Sequence, residues 1–160
     1  MTSVRNASPE EAREQSLALL NQLLAAAVIL QDSMRRSPRN RMGANFIMID
    51  DMCDQVASLM ETCTMRIADR LHDLGGTVRW PVLLDEFMSE NSVRHPSMTG
   101  QPVNGLPDVK PLDAFAQSVL DALTVAAAYG DTATSEVMEQ IWRGVDRQLW
   151  KIVVQRPIRQ

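Results

Sequence analysis

The sequence feature that most constrains the fold is a run of apolar residues that recur every three or four positions. The residues with this spacing are Phe46, Ile49, Cys53, Val56, Met60, Cys63, Ile67, Leu71 and Leu74. An α-helix has 3.6 residues per turn, so this spacing aligns them along one side of one helix. Gly75 and Gly76 follow directly, and glycine readily takes the left-handed conformation that ends a helix. The pattern therefore predicts a packed helix of about 31 residues that ends at Leu74.

The N-terminal part of the chain predicts a second long helix. Ser8 offers a hydroxyl for the N-cap, and Pro9 suits the first helical position. Glu11 stands where a capping box needs an acid. Pro38 disfavours helical geometry in the residue before it. We therefore expect a helix over 9–36.

The C-terminal part predicts two more helices joined by a short loop. The first covers 111–128 and is closed by Gly130, and the second covers 134–153 and cannot continue through Pro157. The residues expected to face inward on the first are Leu112, Phe115, Val119, Leu123 and Ala126. Those expected on the second are Val137, Ile141, Val145, Leu149 and Ile152.

The connection between the second and third helices is too long for a simple turn between neighbours. It contains a proline-opened segment over 81–88 that predicts a short helix. A long crossover lets the two helices that it joins run parallel, which is the ferritin-like arrangement. We therefore expect an all-α fold, a ferritin-like four-helix bundle over 9–153 with a long crossover over 77–111. A flexible N-terminal tail over 1–8 and a basic C-terminal tail over 154–160 flank it.

Composition excludes several classes of protein. The chain has 160 residues, which suits one domain with its own core. It has two histidines, so a His-rich metal site within one chain is excluded. Its net charge of -4 is not that of a uniformly basic nucleic-acid-binding protein. It has no apolar run long enough for a membrane span or an export signal, so we expect a cytoplasmic protein that contacts no membrane and keeps Cys53 and Cys63 reduced.

Several segments are specific enough to indicate a family. They are Leu20-Asn21-Gln22-Leu23-Leu24-Ala25, Arg39-Asn40-Arg41-Met42-Gly43-Ala44-Asn45-Phe46-Ile47, Asp54, Ile67-Ala68-Asp69-Arg70-Leu71-His72-Asp73-Leu74-Gly75-Gly76, Gly130-Asp131-Thr132-Ala133-Thr134 and Asp146-Arg147-Gln148-Leu149-Trp150. Together they resemble Dps, the family of DNA-binding miniferritins from starved cells. The resemblance implies a homo-oligomer, a hollow dodecamer that oxidises ferrous iron with peroxide, stores the ferric product and in many members coats DNA.

The resemblance also implies an iron-oxidation centre between two subunits, where two histidines and an aspartate face an aspartate and a glutamate. In this sequence the histidine positions fall on Pro38 and Asp50, and the first aspartate is retained as Asp54. The second aspartate is replaced by Met65 and the glutamate by Asp69. Proline has no ligand atom, and a thioether is a poor ligand for iron. We expect no tightly bound cofactor, weak binding of iron or another divalent cation by the three remaining carboxylates, and little or no fast ferroxidation.

Two of these residues have alternative interpretations. Asp50 and Asp54 lie four apart on a helix and repel each other unless a positive charge is near. That charge is either a metal ion or the neighbouring arginines, and we favour the arginines because they are numerous. A separate group of sulfur side chains is either gap-filling core, which we favour, or a soft site for copper(I) or haem. Its members are Met48, Met52, Met60, Met65, Cys53 and Cys63.

Two basic clusters are candidate DNA contacts. The first is Arg35, Arg36, Arg39 and Arg41, and the second is Lys151, Arg156 and Arg159. Many copies in a shell would add avidity to such contacts. The alternative for the first cluster is a solvated or salt-bridged loop.

The leading functional hypothesis is a non-enzymatic Dps-like shell protein. It would bind and shield DNA, or serve a structural role, under stress, and would be associated with the nucleoid where it binds DNA. The rival is an iron-storage miniferritin with slow ferroxidase activity through Asp50, Asp54 and Asp69. A third hypothesis is a scaffold that assembles with an active paralogue in mixed shells.

Overall fold

The computed structural model describes residues 7–36, 46–79 and 109–154, with the side chains of 46 and 47 left out. These ranges form four α-helices and no strand: α1 (Pro9–Arg35), α2 (Phe46–Asp73), α3 (Lys110–Ala128) and α4 (Thr132–Val154). Every helix end lies within two residues of the predicted one. The short helix predicted over 81–88 lies outside the described residues, as does most of both predicted tails.

The predicted caps are confirmed. The Ser8 hydroxyl accepts a hydrogen bond from the Glu11 backbone N–H at 3.2 Å, and the Glu11 carboxylate accepts one from the Ser8 N–H at 2.6 Å. Gly75 (φ 71°) and Gly130 (φ 76°) lie in the left-handed region beyond α2 and α3. The Gly75 N–H donates to the His72 carbonyl at 2.8 Å, which satisfies a carbonyl at the end of α2.

The two ends of the bundle establish the direction of each helix. At the cavity end, all four helices line one small cavity, with side chains that include Met34, Met52, Leu112 and Ile152. At the opposite end, which we call the network end, Asp131 directly before α4 accepts hydrogen bonds from Ser16 of α1 and Arg70 of α2. The cavity end therefore holds the beginnings of both α2 and α3 and the ends of both α1 and α4. As predicted, α2 and α3 run parallel, which requires a crossover along the full length of the bundle.

The core is a continuous stripe along α2 that packs mainly against α1 and α4 and belongs to one buried cluster with side chains of α3. Val56, Met60, Cys63, Ile67 and Leu71 are each at most 3% exposed, as their spacing predicts. Burial of such apolar side chains is the main favourable term in folding.

The predicted inward face of α4 was partly wrong. Met138 and Gln148 are buried there, whereas Val137 and Leu149 pack at the edge of the core. Gln148 is tolerated inside because its side-chain amide donates to the Gln55 carbonyl oxygen at 3.3 Å. On α3, Leu123 is likewise at the edge of the core while Ala122 is buried. On both helices the buried face is therefore rotated slightly around the helix axis from the face that the large apolar side chains predicted.

Among the described residues, α1 is the one helix that is long and apolar enough to cross a membrane by length and composition. Its leucines Leu20, Leu24 and Leu30 are at most 3% exposed in the bundle. Core packing therefore accounts for this apolar run.

A matched pair of substitutions on α3 tests the core. Val119 is 0% exposed, whereas Val125 is partly exposed. We expect Val119→Ala to lower the free energy of unfolding by about 2 kcal/mol, because it removes two buried methyl groups and leaves a cavity. Val125→Ala should cost less than about 1 kcal/mol. Denaturant unfolding followed by circular dichroism measures both, and equal losses would contradict the assigned core face.

Candidate metal and nucleic-acid sites

The outward face of α2 carries Asp50, Asp54, Met65 and Asp69, which the resemblance assigns to an inter-subunit metal centre. Asp50 is half-buried, Asp54 and Asp69 are exposed, and the Met65 side chain is 61% exposed. Steps of four, eleven and four residues place these side chains along one side of the helix, opposite the buried stripe. Asp54 and Asp69 are ~22 Å apart along the helix axis at 1.5 Å per residue. One chain therefore cannot bring Asp69 to Asp50 and Asp54.

The donor set on this face does not fit a dinuclear iron centre of the kind that the resemblance implies. Within the described ranges, no group of three His, Cys, Asp or Glu side chains is positioned to hold a metal ion. A facing copy of the chain would add Asp69 and the Met65 thioether, and the two positions that the resemblance assigns to histidine hold Pro38 and Asp50. Carboxylates without nitrogen donors favour hard ions such as Mg²⁺ or Ca²⁺, and they hold them weakly when exposed.

The structure describes three of the seven predicted DNA-binding residues. Arg35 lies at the end of α1 and pairs with Glu61 at 3.1 Å, and Arg36 pairs with Asp32 at 3.0 Å. Both guanidinium side chains remain more than half exposed, and Lys151 is exposed on α4. The other four predicted contacts lie outside the described residues: Arg39, Arg41, Arg156 and Arg159.

These basic residues share one end of the bundle. Met34 and Ile152 line the same cavity, and each is the direct neighbour in sequence of a basic residue, Arg35 and Lys151. Arg35 and Lys151 are 116 residues apart in the sequence, but both belong to the cavity end. No sequence pattern indicated that the two clusters converge.

The network end contains a buried polar cluster that the sequence analysis missed. Asp131 caps α4: one carboxylate oxygen accepts from the Thr134 backbone N–H at 3.0 Å. The same oxygen accepts from the Arg70 guanidinium at 3.0 Å, and the other accepts from the hydroxyls of Ser16 (2.6 Å) and Thr134 (2.5 Å). The Arg70 and Asp131 side chains are 15% and 13% exposed. The cluster thus joins α1, α2 and α4, and the aspartate just before α4 was the sequence signal for it.

The hydrogen bonds to Asp131 also change its titration. Burial by itself raises the pKa of this carboxyl, but the donors of Ser16 and Thr134 and the positive charge of Arg70 outweigh it. The pKa of Asp131 is therefore lowered from its ordinary value of 3.8. At neutral pH the Asp131 carboxyl is therefore ionised, and its hydrogen bonds connect α1, α2 and the start of α4.

Both cysteines are buried and form no disulfide, as predicted. Burial raises the pKa of Cys63 to about 12, although Arg66 nearby has the opposite effect. The Cys63 thiol is therefore protonated at neutral pH and is a poor nucleophile and ligand.

Comparison with solved structures agrees with this geometry. The chain is similar to DpsC from Streptomyces coelicolor, with a TM-score of 0.71 and 22% sequence identity over 97% of this chain and 92% of that one. The chain has the fold of a Dps-like protein. The prediction of an all-α, ferritin-like four-helix bundle is thereby confirmed. No family model and no curated protein matches the sequence.

The charged cluster of this Dps-like bundle gives it a specific pH dependence. Because the folded-state pKa of Asp131 lies below 3.8, ionised Asp131 stabilises the fold above that pH, and this stabilisation is lost as the pH falls through the folded-state pKa. Asp131→Asn should cost about 2 kcal/mol at pH 7. The difference in unfolding free energy between wild type and variant should shrink below about pH 4. Urea unfolding over a pH series measures it.

The exposed Asp113 on α3 supplies a control. Asp113→Asn removes the same charge, so it separates a general charge effect from the cluster. A constant difference between wild type and Asp131→Asn at every pH would contradict the role assigned to the ionised carboxylate.

Proposed function

We propose that this chain is a Dps-like shell protein that contacts DNA through the cavity end of its bundle and lacks the fast ferroxidase activity of typical Dps proteins. The observation that carries the proposal is a Dps-like fold over 97% of the chain, combined with the absence of histidine from every position at which the resemblance implies an iron ligand. Protection of DNA under stress, a cytoplasmic or nucleoid location and mixed shells with an active paralogue are extensions of this proposal.

Exposed apolar side chains support assembly into a homo-oligomer. The isolated chain exposes 61% of Met65 on the outward face of α2. A second patch lies at the end of α4, where Trp150, Val153 and Val154 are 67%, 54% and 57% exposed. Trp150 lies three and four residues before the two valines and so shares their face of the helix. Contiguous exposed apolar groups of this kind favour contact with another protein surface.

Ligand chemistry supports the loss of fast iron oxidation. The resemblance places the oxidation centre between the α2 faces of paired subunits. There, Asp54 is the one retained ligand, Asp69 is shorter by a methylene than the glutamate it replaces, and Met65 offers sulfur. Iron in such centres is held by imidazole together with carboxylate, and the two positions that the resemblance assigns to imidazole hold Pro38 and Asp50. The iron that remains would be weakly held.

The arrangement of charges supports contact with DNA. Arg35, Arg36 and Lys151 share the cavity end, and the chain segments that carry the other four arginines continue from the same helix ends. The pairs of Arg35 with Glu61 and Arg36 with Asp32 are exposed, and exposed ion pairs contribute only about 0–1 kcal/mol. Phosphates can therefore replace these partners at little cost. Affinity would arise from many copies of a weak site.

Restoration of the missing ligands tests the iron part of the proposal. Light scattering on the purified protein should first give the mass of an oligomer, with twelve chains as the expected number. Wild type should oxidise ferrous iron with peroxide no faster than a protein-free control. The variant Pro38→His/Asp50→His/Met65→Asp/Asp69→Glu should oxidise it rapidly, because it regains imidazole and carboxylate ligands. Stopped-flow absorbance of the ferric product measures the rate.

Asp54→Ala on both backgrounds is the control, since Asp54 is the one retained ligand. It should abolish the gain in the restored variant and leave wild type unchanged. Fast oxidation by wild type that disappears with Asp54→Ala would contradict the proposal and favour the iron-storage hypothesis. A monomeric mass would contradict the shell.

Two double variants with equal charge change test DNA contact. Arg36→Ala/Lys151→Ala removes two positive charges from the cavity end, and Arg66→Ala/Arg143→Ala removes two from the middle of the bundle. We expect wild type to shift duplex DNA at low salt and to lose affinity steeply as salt rises. The first variant should bind more weakly and lower the salt slope by about 0.9 for each phosphate that it no longer neutralises. Gel shifts over a salt series measure both quantities.

The comparison between the variants locates the DNA-binding surface. Equal weakening by both would indicate a general effect of net charge, which contradicts a site at the cavity end. Absence of any shift by wild type at low salt would contradict DNA binding altogether.

A further inference from the structure

We propose that the cavity end binds a soft monovalent metal ion, copper(I), through the sulfur atoms of Met34, Met52 and Cys53. These three side chains line one cavity at the point where the four helices come together. Met34 belongs to the last turn of α1, and Met52 and Cys53 belong to the second turn of α2. The structure thus brings sulfur-containing side chains from two helices to one cavity. Sequence spacing along α2 alone did not include Met34.

The cavity is small and lined by apolar surface. Its volume is about 10 Å³, which is the space needed by one water-sized guest. Met52 and Cys53 are 2% and 4% exposed, and the remaining described lining consists of aliphatic side chains from α2, the start of α3 and the end of α4. A single ion fits such a space, whereas an organic cofactor such as haem does not.

The side chains that line the cavity favour a soft metal ion over a hard one. Its described side chains are three with sulfur and four aliphatic, and none supplies an oxygen or nitrogen ligand. Hard cations such as Mg²⁺ and Ca²⁺ require oxygen ligands, and Zn²⁺ is usually held by four ligands rich in thiolate or imidazole. Thiolate and thioether together favour copper(I). These donors also distinguish the cavity from the carboxylate face of α2.

Charge balance is compatible with a buried site. When the Cys53 thiol binds copper(I), its S–H bond breaks, an S–Cu bond forms and the proton leaves to solvent, with no change of oxidation state. The thiolate carries one negative charge and the ion one positive charge, so the site is neutral. The two thioethers add neutral ligands and can adjust their position because methionine has three rotatable side-chain bonds.

Other sulfur side chains of the chain lack this arrangement. Met60 and Met138 are 0% exposed and belong to the packed core, which is the ordinary role of methionine. Met65 is 61% exposed on the outward face, and the high pKa of Cys63 disfavours its thiolate. Of the six sulfur-containing residues considered in the sequence, only Met52 and Cys53 line the cavity, and Met34 from α1 joins them. This inference does not depend on the proposed function, since each chain contains the cavity.

Competition for copper(I) tests the site. The full-length protein, reduced and without oxygen, is titrated into the copper(I) complex of bicinchoninate, and loss of its colour reports transfer. We expect one copper(I) per chain. Cys53→Ala should abolish this transfer, and Met34→Leu or Met52→Leu should weaken binding by about tenfold or more. X-ray absorption of the loaded protein should show sulfur neighbours at about 2.3 Å, close to other metal–thiolate bonds.

Cys63→Ala and Met138→Leu are the matched controls, because both remove a buried sulfur atom that does not line the cavity. Both should retain one copper(I) per chain with wild-type affinity. Leucine is close to methionine in volume, so Met34→Leu and Met52→Leu should keep the fold, which circular dichroism checks. Unchanged affinity in these two variants, loss of copper in Cys63→Ala, or nitrogen and oxygen neighbours in the absorption spectrum would overturn the proposal.

Discussion

Continuous burial of one face of α2 is the constraint on which the rest of the structure depends. The stripe from Met52 to Leu71 packs mainly against α1 and α4, shares one buried cluster with α3 and is almost completely removed from water. Because the helix is long, its opposite face is available over the same length. That outward face presents Asp54, Met65 and Asp69 to whatever lies outside the single chain. The direction of each other helix is defined by which of its own ends lies beside the start of α2 at the cavity end.

The sequence predicted the parts of the fold that depend on local chemistry. The capping box at Ser8, the left-handed glycines after α2 and α3 and the buried stripe of α2 all arise from interactions within a few residues, so spacing alone was sufficient. The inward face of α4 was predicted less well, since Gln148 is buried through its hydrogen bond to Gln55 on another helix. A polar residue in a core cannot be anticipated without its partner.

For the candidate sites too, features set by local sequence could be predicted, and features that need residues from several helices could not. The absence of histidine from the positions that the resemblance assigns to iron ligands stays a prediction, and it needed only residue identities matched to a family pattern. The cluster around Asp131 and the meeting of Arg35 with Lys151 at one end could not be predicted, because both require the parallel arrangement of α1 and α4. Helix direction in turn depends on the long crossover, whose effect on packing is set by the whole bundle and not by any short motif.

Two neighbouring residues on α2 illustrate how one helix can separate two kinds of metal chemistry. Cys53 faces the interior and Asp54 faces outward, since successive residues are rotated by about 100° around the helix axis. Carboxylates on the wet face suit hard ions with weak binding, and sulfur atoms in the dry cavity suit a soft ion with few ligands. The two sets share no ligand, so changes on the outward face leave the interior set intact. A metal site in the interior therefore needs no ligand from the outward face, because the inside of each chain supplies its own sulfur side chains.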